Sequence, residues 1–138
     1  MPTKKQVRRE RSLEQVVADL GVYPMAAFEF VQQGLAFTVQ RIHGEQREGK
    51  PSRHVSGQQL CLGLRDFAVA QWGFLARAVL RRWNITATLD FGRIVFAMID
   101  AGLMSRQDED DIEDFRNVFE FRSAFEAGYR IECAALYG

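Results

Sequence analysis

Apolar residues recur at three- and four-residue steps along most of this chain, and this spacing constrains its fold more than any other feature. The longest stripe runs from Phe28 through Val31 and Leu35 to Ile42, with a second apolar row beside it. Such spacing places apolar side chains on one face of an α-helix. The pattern predicts about five helices, over about residues 12–20, 24–43, 57–72, 74–83 and 86–101.

Residues that start and stop helices stand at the ends of these segments. Ser12 with Gln15 and Ser56 with Gln59 have the spacing of a capping box. In that motif each side chain satisfies a backbone N–H group that the helix leaves without a partner. Further expected boundaries are Pro24, Thr86 or Thr88, Gly21, Gly73 and Gly102.

One short stretch has the composition of a strand. Residues Val118 to Phe121 are rich in aromatic and β-branched side chains, and they could pair with Leu103 and Met104 across an acidic loop. The predicted fold class is therefore mainly α (α+β). We expect a single compact domain of about five helices with a short antiparallel β-hairpin, loosely winged-helix-like, with a mobile basic arm over 1–11, a globular part over 12–129 and a tail over 130–138.

The net charge of zero conceals an uneven distribution. Residues 1–83 carry thirteen basic and seven acidic side chains, a net of +6, whereas residues 84–138 carry five and eleven, a net of −6. Residues 105–121 alone carry seven acidic residues against Arg106 and Arg116, a net of −5. Charge separation of this kind can hold parts of one fold together or align neighbouring molecules.

The two cysteines, Cys61 and Cys133, are too few for a disulfide-framed secreted scaffold, and we expect both to be small buried side chains in a reducing compartment. The N-terminal residues lack the apolar run of a signal peptide. The longest strongly apolar run, from Ile94 to Ile99, is too short to span a bilayer. These features predict a cytoplasmic protein with no membrane partner.

Recognised catalytic and cofactor motifs do not occur in the sequence. There are two histidines, His43 and His54, and no nucleophile elbow, phosphate loop or dinucleotide fingerprint. The acidic run Asp108 to Asp111 lacks the glycine and the terminal glutamate of a calcium loop. We therefore predict a protein that is not an enzyme and has no cofactor and no metal site.

Several strings occur in an order that resembles a bacterial family of uncharacterised proteins. The strings are R-H-V-S-G at 53–57 and D-F-G-R-I-V-F at 90–96, and the similarity covers about residues 13–127. The resemblance implies no established activity and assigns no catalytic residue. The D-F-G string matches a kinase motif by accident, because the chain lacks a glycine-rich loop and an H-R-D catalytic loop.

The start of the third predicted helix is one candidate binding site. Arg53, His54, Ser56 and Gly57 stand where unpaired backbone N–H groups attract anions, so a phosphate or carboxylate site is one hypothesis. The alternative is structural: Ser56 caps the helix, Arg53 pairs with a carboxylate and His54 packs.

Nucleic-acid association is a second functional hypothesis. A short helix, a turn, a second helix and a hairpin follow one another as in a winged helix-turn-helix. The would-be recognition helix, however, offers only Arg93 among apolar residues and aspartates. The basic residues that carry this hypothesis are Lys4, Lys5, Arg8, Arg9 and Arg11 in the arm and Arg77, Arg81 and Arg82 in the fourth helix.

The eleven phenylalanines suggest a third hypothesis. Phe115, Phe119, Phe121 and Phe125 are crowded near the C-terminus beside acidic residues. Periodic aromatic residues usually form core, but a surplus can form an exposed docking patch. The favoured function is a non-enzymatic protein-interaction module, with a protein partner or a second copy of the chain docking on this surface.

Overall fold

The computed structural model describes residues 11–44, 54–105 and 110–126. The described chain is helical, so the mainly α prediction is confirmed. Its helices are α1 (Leu13–Leu20), α2 (Met25–His43), α3 (Gly57–Trp72), α4 (Ala76–Arg82) and α5 (Thr88–Asp100). Two 3-10 turns, Gly73–Leu75 and Ile112–Phe115, and a helical segment at 121–126 complete it.

Both predicted capping boxes are confirmed. The Ser12 and Ser56 hydroxyls accept from the backbone N–H groups of Gln15 and Gln59, and the two glutamine side chains bond back to the serine N–H groups. These reciprocal bonds satisfy donors that the helix itself leaves without partners. Helices α1 and α3 therefore begin where the local sequence predicts.

The start of α5 differs from the expectation that Thr86 or Thr88 caps it. The Asp90 carboxylate accepts instead from the backbone N–H groups of Thr86 and Ala87, at 2.9 and 3.1 Å. Asp90 also accepts from the Tyr23 hydroxyl at 2.5 Å, in the interior of the protein. One aspartate thus caps α5 and joins it to Tyr23, just before Pro24 at the start of α2.

The predicted β-hairpin is wrong, because the described residues contain no strand, and the expected wing is therefore absent from them. The backbone donors that it needed have other partners. The Leu103 N–H bonds to the Met98 carbonyl at the end of α5, and the Val118 N–H bonds to the Thr88 hydroxyl. The aromatic and β-branched side chains of 118–121 pack against the helices, so their composition reflects burial and not strand pairing.

Helices α2 and α3 approach closely through two glycines. A Cβ atom at Gly34 would overlap the Leu64 side chain, and one at Gly63 would overlap Thr38. All four residues are buried. The small residues therefore let the two backbones pack directly, and α2 becomes the centre of the core.

Phe115 is held between the starts of two helices. A Cβ atom at Gly92 of α5 would lie 2.8 Å from the Phe115 Cβ, and one at Gly57 of α3 would lie 3.0 Å from the Phe115 ring. The Thr88 hydroxyl donates to the Phe115 carbonyl at 2.6 Å. The chain after α5 is thereby fixed against both helices.

The predicted domain boundaries lie largely outside the described residues, as do most of the predicted arm and the whole predicted tail. Arg11, the last residue of that arm, bonds to Asp19 at 2.8 Å and to Asp100 at 3.2 Å. Among the described helices, none combines the length and the apolar character that crossing a membrane requires.

We predict that Gly92→Ala destabilises the protein by about 1–3 kcal/mol, because the added methyl group overlaps Phe115 in a packed interior. Alanine by itself would favour the helix by about 1 kcal/mol. Urea unfolding followed by circular dichroism measures the change. Ala70→Gly, at an exposed position of α3, gives the helix-propensity effect alone. Equal or higher stability of Gly92→Ala would contradict the tight contact.

We also predict that Tyr23→Phe destabilises the protein at neutral pH by about 1–3 kcal/mol, because the buried Asp90 carboxylate loses a donor. Burial, followed by the hydrogen bond to Asp90, raises the pKa of Tyr23 from 10.0 to about 12. Since folding favours the neutral phenol, its stabilising contribution is complete below pH 10 and is lost as the pH rises towards 12. The difference between wild type and Tyr23→Phe in urea unfolding should shrink across that range, and a constant difference would refute the coupling.

Candidate functional site

A cleft of about 470 Å³ opens between α2, the start of α3, the end of α5 and the segment at 110–115. We call it the acidic cleft. Its floor is apolar and combines side chains from every element around it. The floor residues are Leu35, Val39, Val55, Leu60, Val95, Phe96, Ile99, Met104 and Phe115.

The rim of the acidic cleft is negatively charged. Asp110, Asp111 and Asp114 line it together with His54 and Ser105. The Asp111 carboxylate accepts from the Glu113 N–H at 3.0 Å, which starts the 3-10 turn. Asp111 and Asp114 form no ion pair within the described chain. Two carboxylates therefore border an apolar hollow with their charges uncompensated by these residues.

The segment next to Asp114 orients this rim. The Phe115 contacts with Gly57 and Gly92 hold the 3-10 turn against α3 and α5, and the Asp114 Cβ itself lies against Gly57. Glu113, on the same turn, forms a bidentate pair with Arg116 at 2.7 and 3.2 Å, and this hydrogen bond lowers the pKa of Glu113. Glu113 is thus paired, whereas its neighbours line the acidic cleft.

The structure places the predicted anion site inside this acidic surrounding. His54 Nε2 lies 3.3 Å from Asp110, and the His54 carbonyl bonds to the His43 ring at 2.8 Å. Ser56 is occupied in capping α3, and Gly57 packs against Asp114. Arg53 lies outside the described residues. Carboxylates beside a helix start compete with an external anion for the same positive end of the helix dipole.

The predicted aromatic docking surface is mostly core. Phe115, Phe121 and Phe125 are buried, and Phe119 is half-buried. Phe119 stacks on Phe121 with ring centroids 5.5 Å apart, and Phe91 of α5 lies 5.8 Å from the Phe121 ring. These phenylalanines bind the end of the described chain to α5, so they do not form an exposed patch. The acidic residues that precede them in sequence do reach the surface, at the rim.

The residues of the nucleic-acid hypothesis divide into two groups. Lys4, Lys5, Arg8 and Arg9 lie outside the described residues, and Arg11 is paired with Asp19 and Asp100. Arg81 and Arg82 are exposed on α4 and Arg77 is half-buried, and none of the three has an ion-pair partner in the part of the chain that the structure describes. Nucleic-acid association stays a prediction.

Next to these arginines the surface is apolar. Phe74 is 62% exposed and Leu75 is 52% exposed, on the 3-10 turn that leads into α4. Together with Ala78, Arg81 and Arg82 they follow three- and four-residue steps, which places them along one outer side of the helix. We call this surface, with Arg77 at its edge, the arginine face.

The described residues offer neither a reactive thiol nor a cluster of metal-ligating side chains. Burial raises the pKa of the Cys61 thiol to about 12, so it stays protonated and unreactive at neutral pH. Cys133 lies outside the described residues. Over 11–44, 54–105 and 110–126, no group of three His, Cys, Asp or Glu side chains is placed to hold a metal ion.

The acidic cleft itself is absent from the sequence predictions. Its floor combines residues of several helices, and the local pattern predicts each helix without showing how they pack together. The signal that could have indicated it is the excess of acidic residues at 105–121 directly after an apolar helix. By itself, that signal predicts charge separation and not a cleft.

Comparison of the chain with models of known protein families, with curated proteins and with solved structures finds no match. The resemblance of the 53–57 and 90–96 strings to a bacterial family stays a prediction.

We predict that phosphate does not bind at the start of α3, because Asp110, Asp111 and Asp114 make this region negative. The backbone amide signals of Gly57 and Gln58 in NMR spectra should stay unchanged during a phosphate titration at constant ionic strength. Asp111→Asn with Asp114→Asn is the comparison that weakens the repulsion. A saturable shift of both amide signals in the wild-type protein would restore the anion hypothesis.

Proposed function

We propose that this protein is a non-enzymatic binding module, and that the acidic cleft receives a partner segment which presents an apolar side chain beside a cationic one. The observation that carries the proposal is the combination of an apolar floor with the carboxylates of Asp111 and Asp114 at its rim, which no residue in the described ranges neutralises. Neither feature alone would define a ligand, but together they specify one with two chemically different ends.

The floor supplies the affinity. Its volume of about 470 Å³ lies within the range of about 300–1,000 Å³ typical of ligand sites, which are mostly apolar with a few placed polar groups. Aromatic and aliphatic side chains gain about 25 cal/mol for each Å² of apolar surface that they remove from water. A phenyl or leucyl side chain therefore has a favourable place between α2 and α5.

The rim supplies the selectivity. Carboxylates at the edge of an apolar hollow attract an ammonium or guanidinium group and repel an anion. Asp114 is half-buried, so its attraction exceeds that of a fully exposed carboxylate, whereas Asp111 is exposed; salt weakens the attraction of both. Guanidinium suits the site especially, since its fork can bond a carboxylate with two parallel N–H groups.

The same arrangement favours binding over catalysis. Asp110 faces His54 as a carboxylate that orients a general base does. Among the described residues, however, the structure shows no serine or cysteine side chain hydrogen-bonded to this pair: Ser56 is engaged in the cap, and the Cys61 thiol is buried and protonated. We therefore assign the rim to recognition.

A matched pair of small molecules tests the proposal. 4-Phenylbutylamine carries a phenyl group and a cation, and 4-phenylbutanoate carries the same phenyl group and an anion. In NMR titrations we expect the amine to shift the methyl signals of Val39, Val95, Ile99 and Met104, with the shifts diminishing as salt is added. The anion should leave these signals close to their free positions.

Matched variants separate the effect of the rim carboxylates on binding from the effect of the protein's net charge. Asp111→Asn with Asp114→Asn should weaken amine binding about tenfold, which corresponds to about 1.4 kcal/mol. Glu14→Gln with Glu29→Gln removes the same amount of charge from exposed positions of α1 and α2 and should have little effect. Equal binding of amine and anion, or shifts confined to other parts of the protein, would sink the proposal.

A further inference from the structure

We infer that the partner segment is the arginine face of a second copy of this chain, so that copies associate head to tail. This inference rests on the proposed function of the acidic cleft and adds the identity of its occupant. It also uses Phe74 and Leu75, whose side chains are largely exposed.

The arginine face has the chemistry that the acidic cleft selects. Phe74 and Leu75 are the two most exposed large apolar side chains of the described chain, and Arg81 and Arg82 follow within two turns on the same outer side. From Leu75 to Arg81 the helix rises about 9 Å. One surface thus presents apolar groups for the floor and guanidinium groups for the rim in a single rigid piece.

The charges of the two surfaces are complementary. Arg77, Arg81 and Arg82 have no carboxylate partner in the described ranges, and Asp111 and Asp114 have no basic one. The other described arginines form ion pairs within the chain, among them Arg11, Arg41 and Arg116. Both surfaces therefore carry charges that no described residue pairs, opposite in sign and each beside exposed or cleft-lining apolar groups.

Helix α3 keeps the two surfaces apart within one molecule. Its first residue, Gly57, lines the acidic cleft, and the arginine face begins at the turn after its last residue, Trp72. Sixteen helical residues span about 24 Å. The arginine face of one molecule therefore cannot fill its own acidic cleft, and the complementary pair can meet only between copies.

The symmetry of this contact has a measurable consequence. Two different surfaces meet, so each copy retains one unused cleft and one unused face, and association continues into a ring or an open chain. A single cleft buries less surface than the roughly 1,200–2,000 Å² of a stable protein–protein interface. Association should consequently be weak, dependent on concentration and reduced by salt.

Sedimentation velocity on the full chain, after nuclease treatment, tests the inference. For the wild type we expect the mean sedimentation coefficient to rise with protein concentration at low salt and to rise less at high salt. Asp111→Asn with Asp114→Asn, or Arg81→Gln with Arg82→Gln, should each weaken association about tenfold or more, because each removes one half of the same charge pairs. Phe74→Ser with Leu75→Ser should do the same through the apolar half.

Matched controls and a mixing experiment make the test specific. Gln32→Glu with Gln33→Glu, at exposed sites of α2, changes net charge by the same amount as the double arginine variant and should associate like the wild type. A mixture of the cleft variant and the arginine variant contains one intact cleft and one intact face. It should form a one-to-one complex that does not grow further, which neither variant forms alone. Circular dichroism confirms that each variant is folded.

The outcomes distinguish this inference from the proposed function. A wild type that stays monomeric at the highest concentration, while 4-phenylbutylamine still shifts the cleft methyl signals, overturns the head-to-tail contact and leaves the proposed function intact. Association that the two charge variants do not weaken, or that disappears with nuclease treatment, also overturns it; the second result would assign the arginine face to nucleic acid. Failure of both experiments rejects both proposals.

Discussion

The seating of Phe115 between Gly57 and Gly92 is the contact on which the rest of the structure depends. The Phe115 side chain packs against both α3, at Gly57, and α5, at Gly92. The Thr88 hydroxyl also donates a hydrogen bond to the Phe115 carbonyl, which holds the backbone in place. The chain after α5 could otherwise leave the helices freely. Because it is held, the acidic residues just before Phe115 lie along the edge of an apolar hollow.

A second constraint comes from how closely the central helices pack. Gly34 and Gly63 admit Leu64 and Thr38 into the contact between α2 and α3, so these two helices form one rigid unit. Phe30 of α2 extends this unit, with Phe67, Trp72, Trp83 and Phe91 rings within 6.4 Å of it. The acidic cleft and the arginine face thus lie near the two ends of α3, which supports the proposal of a binding module with two separate surfaces.

The structure shows which charged residues pair with each other and which stay on the surface. Most described arginines form ion pairs within the molecule, and two of them, Arg41 and Arg65, contact Asp66. Partial burial tends to raise the pKa of Asp66, but the two guanidinium groups hold that pKa below its ordinary value of 3.8. These ion pairs therefore stabilise the folded protein above pH 3.8, and this stabilisation is lost as the pH falls further and Asp66 becomes protonated. Among the charges that no described residue pairs, those of Asp111 and Asp114 lie at the acidic cleft and those of Arg77, Arg81 and Arg82 on the arginine face, and they support the proposal that copies meet through them.

The helices, their capping boxes at Ser12 and Ser56 and the glycine stops follow from the sequence alone, because they depend on interactions among residues within a few positions of each other. The errors lie where the partner is distant in sequence. Local pattern predicts that Thr88 caps a helix, that Val118 lies in a strand and that Phe121 belongs to an exposed aromatic surface. In the structure, Thr88 bonds to the Phe115 carbonyl, Val118 donates to Thr88, and Phe121 packs on Phe91. The acidic cleft depends on the same long-range contacts, since Val39, Val95 and Asp114 become neighbours only when three segments pack together. Local pattern therefore determined the elements of this protein, and tertiary packing decided which of its charges meet an apolar surface.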